Sequence, residues 1–366
     1  EIIMEKKIKI LQVLTVMGRG GAETMVMNYY RALNKNIYQF DFLVHRKERG
    51  EYDDEIELMG GEIYRAFPIR PWNYISYFHY LNAFFKEHAS KYVAVHCHIQ
   101  ENSGFVLKYA AKYGIKNRLC TSHIADVGID YKYPFRLFAK LYESNITTRL
   151  ACGVEAGRFL YGKKIFQVFP NAIPTSKFIY NQSVALTFRK QRKWSNLKII
   201  GNISRLNPQK NHTFVIDIFK EIHKLDSKTI LVLVGDGYLR SSLRKKVEDL
   251  GLKDVVFFEG IQSNVSDYLN VFDIFLFPSL YEGLPVSIIE AQASGVKCFL
   301  SDTIDKTVDI TGDISFLPLS LSPKGWAIEI LNSLPYQRKV NLHKIEEAGY
   351  DVNKNIQNLL NLYTAE

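Results

Sequence analysis

Long apolar runs are missing from this 366-residue chain. No stretch reaches the about 18 consecutive apolar residues that a membrane-crossing helix needs. Cysteine is scarce: the four, Cys97, Cys120, Cys152 and Cys298, are far apart and form no Cys-x-x-Cys pair. That excludes a disulfide scaffold and a zinc ribbon, and their apolar surroundings read as buried free thiols in a reducing compartment. Residues Glu1 to Lys7 run straight into a strand-like stretch, without the core or cleavage site of a signal peptide, so a cytoplasmic setting is expected. Zinc-finger spacing, basic-zipper heptads and RNP aromatic motifs are absent too, which argues against nucleic acid. What remains, 47% hydrophobic and 23% charged residues, is the composition of an ordinary globular protein.

The charge is lopsided. The first 180 residues carry 25 Lys and Arg against 17 Asp and Glu, and the rest carry 22 against 21. Such asymmetry suits an anionic partner of the first half, either a membrane surface or a phosphate-bearing acceptor; an unspecialised solvated surface is the plain alternative.

Short apolar runs alternate with helix-period segments. Ile8–Val16, Gln39–Val44, Val93–Cys97, Arg118–Thr121 and Arg149–Cys152 read as strands, with a helix over Ala22–Leu33. After Asn171-Ala172-Ile173-Pro174 and a polar segment, Asn181–Asn196, the pattern restarts. Strands at Leu197–Ile203, Thr229–Val234, Val255–Phe258, Ile274–Phe277 and Lys297–Leu300 alternate with helices, and the chain finishes with a helix over Asn353–Tyr363. The alternation predicts two doubly wound parallel-sheet domains: 1–178, 179–348, and a final helix in 349–366 returning towards the first. Ligands in such sheets sit beyond the carboxyl ends of the strands, so chemistry is sought in the loops that follow them and in a cleft between the two domains.

The first strand runs into Gly18-Arg19-Gly20-Gly21-Ala22-Glu23, a glycine turn opening a helix, which suits an anion at the helix N-terminus. Glu23 stands where a dinucleotide fingerprint needs Gly, so a nicotinamide site is not expected despite Asp41 downstream. In the second half, Arg205 and Lys210 share one loop after a strand and can neutralise a diphosphate, although a lone pair of cations is also a common solvated surface feature. Gly235-Asp236-Gly237 reads as a structural turn. The most specific signal is the loop from Pro278 to Pro285 and the helix after it. Gly283 and Pro285 shape the loop into an anion nest, Glu282 lies in it, and Glu290 sits eight positions on in an apolar helical stretch. A carboxylate there costs stability unless it has partners, and sugar hydroxyls are donors that a carboxylate accepts.

Glu282 to Glu290 resembles the Glu-x7-Glu motif of the family-four retaining glycosyltransferases, which have the two-domain GT-B fold. The likeness extends over nearly the whole chain. Gly20-Gly21 matches the family's glycine loop, and Phe169-Pro170-Asn171-Ala172-Ile173 its Pro-Asn-Gly linker, with Ala172 in place of Gly. Arg205 with Lys210 and the Gly235 turn match as well.

The resemblance implies roles for these residues. Arg205 and Lys210 would bind the diphosphate of a nucleotide-sugar donor, and the backbone around Gly283, Leu284 and Pro285 would meet phosphate or sugar. Glu290 would take the ribose hydroxyls, and Glu282 the donor sugar. Gly20 and Gly21 would close the phosphate site from the other domain, and the backbone at Ile261 would receive the base. His123 would lie beside the donor sugar as a hydrogen-bond donor, and His98 is the acceptor-side candidate. His96 and His98 share a strand end without a third metal ligand in view. No Asp-x-Asp triplet occurs, so neither metal nor cofactor is expected, fixed cations taking the metal's place.

Expected, then, is a retaining hexosyl- or N-acetylhexosaminyl-transferase of capsular or extracellular polysaccharide synthesis, with a UDP-sugar as leading donor and a saccharide, with a lipid-linked one the leading form, as acceptor. Trp72, Tyr74, Tyr77, Phe78, Tyr80, Phe84 and Phe85 could rest on the inner leaflet of the plasma membrane; core packing of an aromatic helix is the competing account. A UDP-sugar 2-epimerase of the same fold and a non-catalytic nucleotide-sugar-binding protein are the alternatives.

Overall fold

The computed structural model describes residues 7–123, 133–282 and 285–365. Two compact units emerge: Glu1–Ala172 together with Asp351–Glu366, and Ile173–Tyr350.

Among the described residues the first unit has seven strands: β1 Ile8–Leu14, β2 Tyr38–Val44, β3 Ile63–Arg65, β4 Tyr92–Cys97, β5 Asn117–Ser122, β6 Thr148–Ala151 and β7 Gln167–Val168. All are parallel, in the order β3-β2-β1-β4-β5-β6-β7. The second holds β8 Lys198–Ile203, β9 Thr229–Val234, β10 Val256–Gly260, β11 Ile274–Phe277, β12 Lys297–Ser301 and β13 Ile314–Leu317, again parallel, in the order β10-β9-β8-β11-β12-β13.

The continuous apolar runs of the sequence arise because each sheet is covered on both faces. Along β1, Ile10 and Leu14 enter one core while Leu11 and Val13 enter the other. In β8 and β9, Ile199, Ile230 and Val232 face one core of the second unit, and Ile200, Leu231 and Leu233 the other. Period-2 alternation is therefore present in space although it is invisible as polarity.

Three sequence readings are revised or extended. The polar segment 181–196 contains a helix, Gln182–Gln191, capped by the Asn181 side chain on the amides of Ser183 and Val184, with only Ala185 fully buried. The aromatic stretch forms the helix Tyr74–His88, where Tyr77, Leu81, Phe84 and Phe85 are buried, while Trp72 and Ile75 stay 80% and 75% exposed. Core packing thus accounts for most of it. The final helix, Val352–Tyr363, packs into the first unit's core through Val352, Leu359, Leu360 and Tyr363. Among the described residues no helix is long and apolar enough to cross a membrane.

Candidate active site

In both units the strand order reverses next to the first strand, between β1 and β4 and between β8 and β11. A doubly wound sheet opens its crevice at that point, beyond the carboxyl ends. Gly20, His98, Arg205, Lys210 and Glu282 lie in the loops after those strands, whereas His123 and Ile261 follow the neighbouring strands β5 and β10 and Glu290 lies on the helix Val286–Ala293.

In the second unit, the loop after β8 carries Arg205 and Lys210 and the loop after β11 carries Glu282. The two loops are knitted together. Leu280 N–H donates to Gln209 O (2.8 Å), Asn211 Nδ2 to Pro278 O (3.1 Å) and Gln209 Nε2 to Tyr281 O (2.9 Å). Asn211 takes the left-handed conformation that Asn tolerates, φ 55° and ψ 40°, turning the chain sharply into the helix His212–Leu225. Lys210 Nζ lies 2.5 Å from Glu282 Oε1 and 5.0 Å from the centre of the Phe277 ring. Both side chains of the ion pair are nearly enclosed, 15% and 5% exposed. Arg205 is exposed.

Gly235 and Gly237 set the height of the Arg205 loop. Gly235 has φ +128°, and a Cβ there would stand 2.1 Å from Ser204 O; one on Gly237 would stand 2.3 Å from Leu206 O. Only glycine allows this approach, sealed by the bond from Leu206 N–H to Asp236 O (3.0 Å). Gly235 N–H in turn donates to Gly260 O (2.8 Å), which places exposed Ile261 beside the same turn. Behind Lys210, His212 Nε2 meets Ser204 Oγ (3.1 Å), and burial, helped by Lys210, holds its imidazole down at about 4.

Pro285 is the N-cap of the helix Val286–Ala293, with Glu290 on its second turn. Burial pushes the Glu290 carboxyl up to about 7, against the weaker opposing pull of Lys177. This is the desolvation cost expected of a carboxylate set in an apolar helical stretch. Gly283 and Leu284 lie outside the described residues.

In the first unit, Gly20 is the N-cap of the helix Gly21–Ala32, and Thr24 N–H donates to Gly20 O (2.9 Å). Asp41 is spent on structure: it receives Lys9 Nζ (3.0 Å), Tyr92 Oη (3.1 Å) and the Glu62 amide (3.0 Å). His98, after β4, and His123, after β5, are brought together, with His98 Nδ1 2.9 Å from His123 Nε2. His96 contacts Tyr363 Oη (2.8 Å) and Thr121 Oγ1 (2.7 Å), and among the described residues no group of three His, Cys, Asp or Glu could hold a metal ion. Burial lowers all three imidazoles, His96 to about 3 and His123 to about 4, so they are neutral near pH 7. Gln12 and Tyr363, which complete this cluster, escaped the sequence reading. The available signal was a Gln at the centre of the run Ile8-Lys9-Ile10-Leu11-Gln12-Val13-Leu14.

Residues 185–314 match the family described as "Glycosyl transferases group 1". Over 97% of its length the chain is 34% identical to 96% of "Putative glycosyltransferase EpsF" of Bacillus subtilis. It is 26% identical, over 98% of itself and 99% of the relative, to "Capsular polysaccharide biosynthesis glycosyltransferase CapH" of Staphylococcus aureus. An Escherichia coli protein named "UDP-Gal:alpha-D-GlcNAc-diphosphoundecaprenol alpha-1,3-galactosyltransferase" is 28% identical over 58% of each chain. Among solved structures, Anabaena Alr3699/HepE in complex with UDP and glucose superposes with a TM-score of 0.78 at 17% identity, over 98% of this chain and 100% of that one.

Proposed function

Because this chain belongs to the group 1 glycosyltransferases and has the GT-B fold, we propose that it transfers a hexosyl or N-acetylhexosaminyl group, with retention, from a UDP-sugar to a lipid-linked saccharide. Its relatives include a glycosyltransferase of capsular polysaccharide biosynthesis and one named for a UDP-sugar donor, which supports nucleotide-sugar-dependent transfer in polysaccharide synthesis; the 2-epimerase reading is not favoured. The observation that carries the finer reading is the Lys210–Glu282 pair at the switch point of the second sheet. It sets a cation for phosphate beside a carboxylate for sugar hydroxyls.

The chemistry follows from that arrangement. As an acceptor hydroxyl bonds to the anomeric carbon on the face from which the diphosphate departs, the C–O bond to the diphosphate breaks, its electron pair stays on the diphosphate as negative charge, and the hydroxyl proton passes to the departing phosphate oxygen. Arg205, Lys210 and the amides at the start of the helix Val286–Ala293 stabilise that charge, an electrostatic contribution needing no divalent metal. For Lys210 to reach phosphate it exchanges Glu282 for the donor. Glu282 is then released to accept from a sugar hydroxyl and hold the anomeric carbon. Glu290 accepts from the ribose, and the backbone at Ile261, Gly283, Leu284 and Pro285 serves base and phosphate. Gly20 and Gly21 offer amides of a helix N-terminus to an anion.

A saccharide on a lipid carrier, as the name of the Escherichia coli relative specifies for that enzyme, fits the basic first unit. The helix Tyr133–Lys140 exposes Tyr133, Phe135, Leu137 and Phe138, with Leu141 just beyond, and Phe138 stacks on Tyr74 (5.7 Å), beside exposed Trp72 and Ile75. This apolar face, flanked by Arg70 and Lys140, is our membrane-resting surface. The test of function is product analysis with UDP-glucose, UDP-galactose, UDP-N-acetylglucosamine and UDP-N-acetylgalactosamine, on lipid-diphosphate-linked N-acetylhexosamine, with EDTA present. An α-linked product from one donor is expected; an inverted linkage, or dependence on added metal, overturns the reading.

A further inference from the structure

Gln12, His96 and Thr121 are all but fully buried in three neighbouring strands, on the sheet face that also bears Ile10, Ala94 and Leu119. Helix Val352–Tyr363 covers that face. Polar side chains in such a place are costly unless each hydrogen bond is made. Here they are made in a single file. His123 Nε2 meets His98 Nδ1 (2.9 Å), and His98 Nε2 meets Gln12 Oε1 (3.0 Å). Gln12 Nε2 donates to Tyr363 Oη (3.0 Å), Tyr363 Oη meets His96 Nδ1 (2.8 Å), and His96 Nε2 meets Thr121 Oγ1 (2.7 Å).

A file of this kind has a direction. A carboxamide oxygen accepts only, so His98 Nε2 carries the proton and donates to Gln12. A neutral imidazole has one N–H, so His98 Nδ1 is bare and accepts from His123 Nε2–H. On the other side, the Tyr363 hydroxyl accepts from Gln12 and gives its own proton to His96 Nδ1, and His96 Nε2–H goes to Thr121. Every bond is satisfied with all three imidazoles neutral, the state that their burial enforces. One atom is left over: His123 Nδ1, which is enclosed and has no hydrogen-bond partner among the described residues.

We infer that this file is a positioning relay: Gln12 and Tyr363, acting through His98, hold His123 in its Nε2–H form, so that Nδ1 offers a lone pair to a ligand hydroxyl. His123 is then a hydrogen-bond acceptor, the reverse of the donor role that the sequence resemblance implies. Tyr363 is a positioning residue contributed by the last helix. The inference rests on His123 belonging to the sugar-transfer site; the tautomer itself does not.

The test separates the two. Two-bond proton–nitrogen correlation spectra of histidine-labelled, ligand-free protein distinguish a bare ring nitrogen from N–H. Expected are His96, His98 and His123 all protonated at Nε2. A spectrum with His123 protonated at Nδ1 overturns the inference and leaves the site assignment standing. Nucleotide release from whichever of the four UDP-sugars the enzyme consumes gives the second readout. Tyr363→Phe is expected to split the His123 signal between tautomers and to lower kcat about tenfold at unchanged KM. In a His123→Ala background the same change adds nothing further, because both act through one group. Additive losses, or a Tyr363→Phe enzyme with unaltered tautomers, mark Tyr363 as structural only and refute the relay. A His123→Ala enzyme with full turnover refutes the placement of His123 instead. If Tyr363→Phe does not fold, the wild-type spectrum alone decides.

Discussion

The sharpest prediction concerns the proton on Glu290. Burial raises its carboxyl to about 7 in the ligand-free protein, whereas ribose hydroxyls need the ionised form as acceptor. Donor binding must therefore expel a proton. At pH 7 about half of the molecules, and at pH 6 about one in ten, present the carboxylate. The apparent Kd for UDP-glucose, whose diphosphate is a diester without a group titrating near pH 6, should weaken about fivefold from pH 7 to pH 6 and level off above pH 8. Calorimetry in buffers of different ionisation enthalpy should count about 0.9 proton released per donor bound at pH 6 and about 0.5 at pH 7. The lowered imidazoles of His96, His123 and His212 titrate well below this window and stay silent. Glu290→Gln should bind more weakly and lose the pH dependence. A flat wild-type profile with no proton release would refute either the raised carboxyl or its place against the ribose.

Four further outcomes follow from the same structure. Glu282→Gln removes the partner of Lys210, so UDP should bind at least as tightly by calorimetry while sugar transfer falls by about a hundredfold or more; Lys210→Ala should lose both. Gly237→Ala forces a Cβ against Leu206 O and should cost about 1–3 kcal/mol in urea unfolding, with weaker UDP binding because the Arg205 loop moves. Thermal stability should fall between pH 6.5 and pH 5: His45, His96, His123 and His212 have folded values near 4 or below, so the unfolded chain binds more protons there. Glu290 acts in the opposite sense, its raised value favouring the fold at low pH, but it is one group against five, since burial lowers His98 as well. Trp72→Ala with Leu141→Ser should reduce sedimentation with anionic vesicles at low salt.

Much of this protein was legible in its sequence because buried parallel strands write themselves as unbroken apolar runs ending in loops, and the loops hold the ligand chemistry. Ile274–Phe277 followed by Pro278 to Pro285 is the plainest instance. What stayed hidden was pairing across distance. Lys210 and Glu282 were each readable as ligand groups, yet nothing in a linear chain says that residues 72 apart neutralise one another. Gln12 and Tyr363 are 351 positions apart, and neither belongs to a motif. The helix Gln182–Gln191 escaped because it buries a single Ala fully, leaving almost no apolar period to detect.

The division of the chain has a consequence for its birth on the ribosome. Tyr363 completes the core of the unit that begins the sequence, yet the whole of Ile173–Tyr350 is synthesised before it. The second unit is contiguous and can fold as soon as it emerges, whereas the first must wait with the sheet face around Gln12 and His96 uncovered. The unit translated first is thus the one finished last. In a nascent-chain series, resistance of the first unit to protease should appear abruptly when residues 351–363 clear the exit tunnel, after the second unit is already protected.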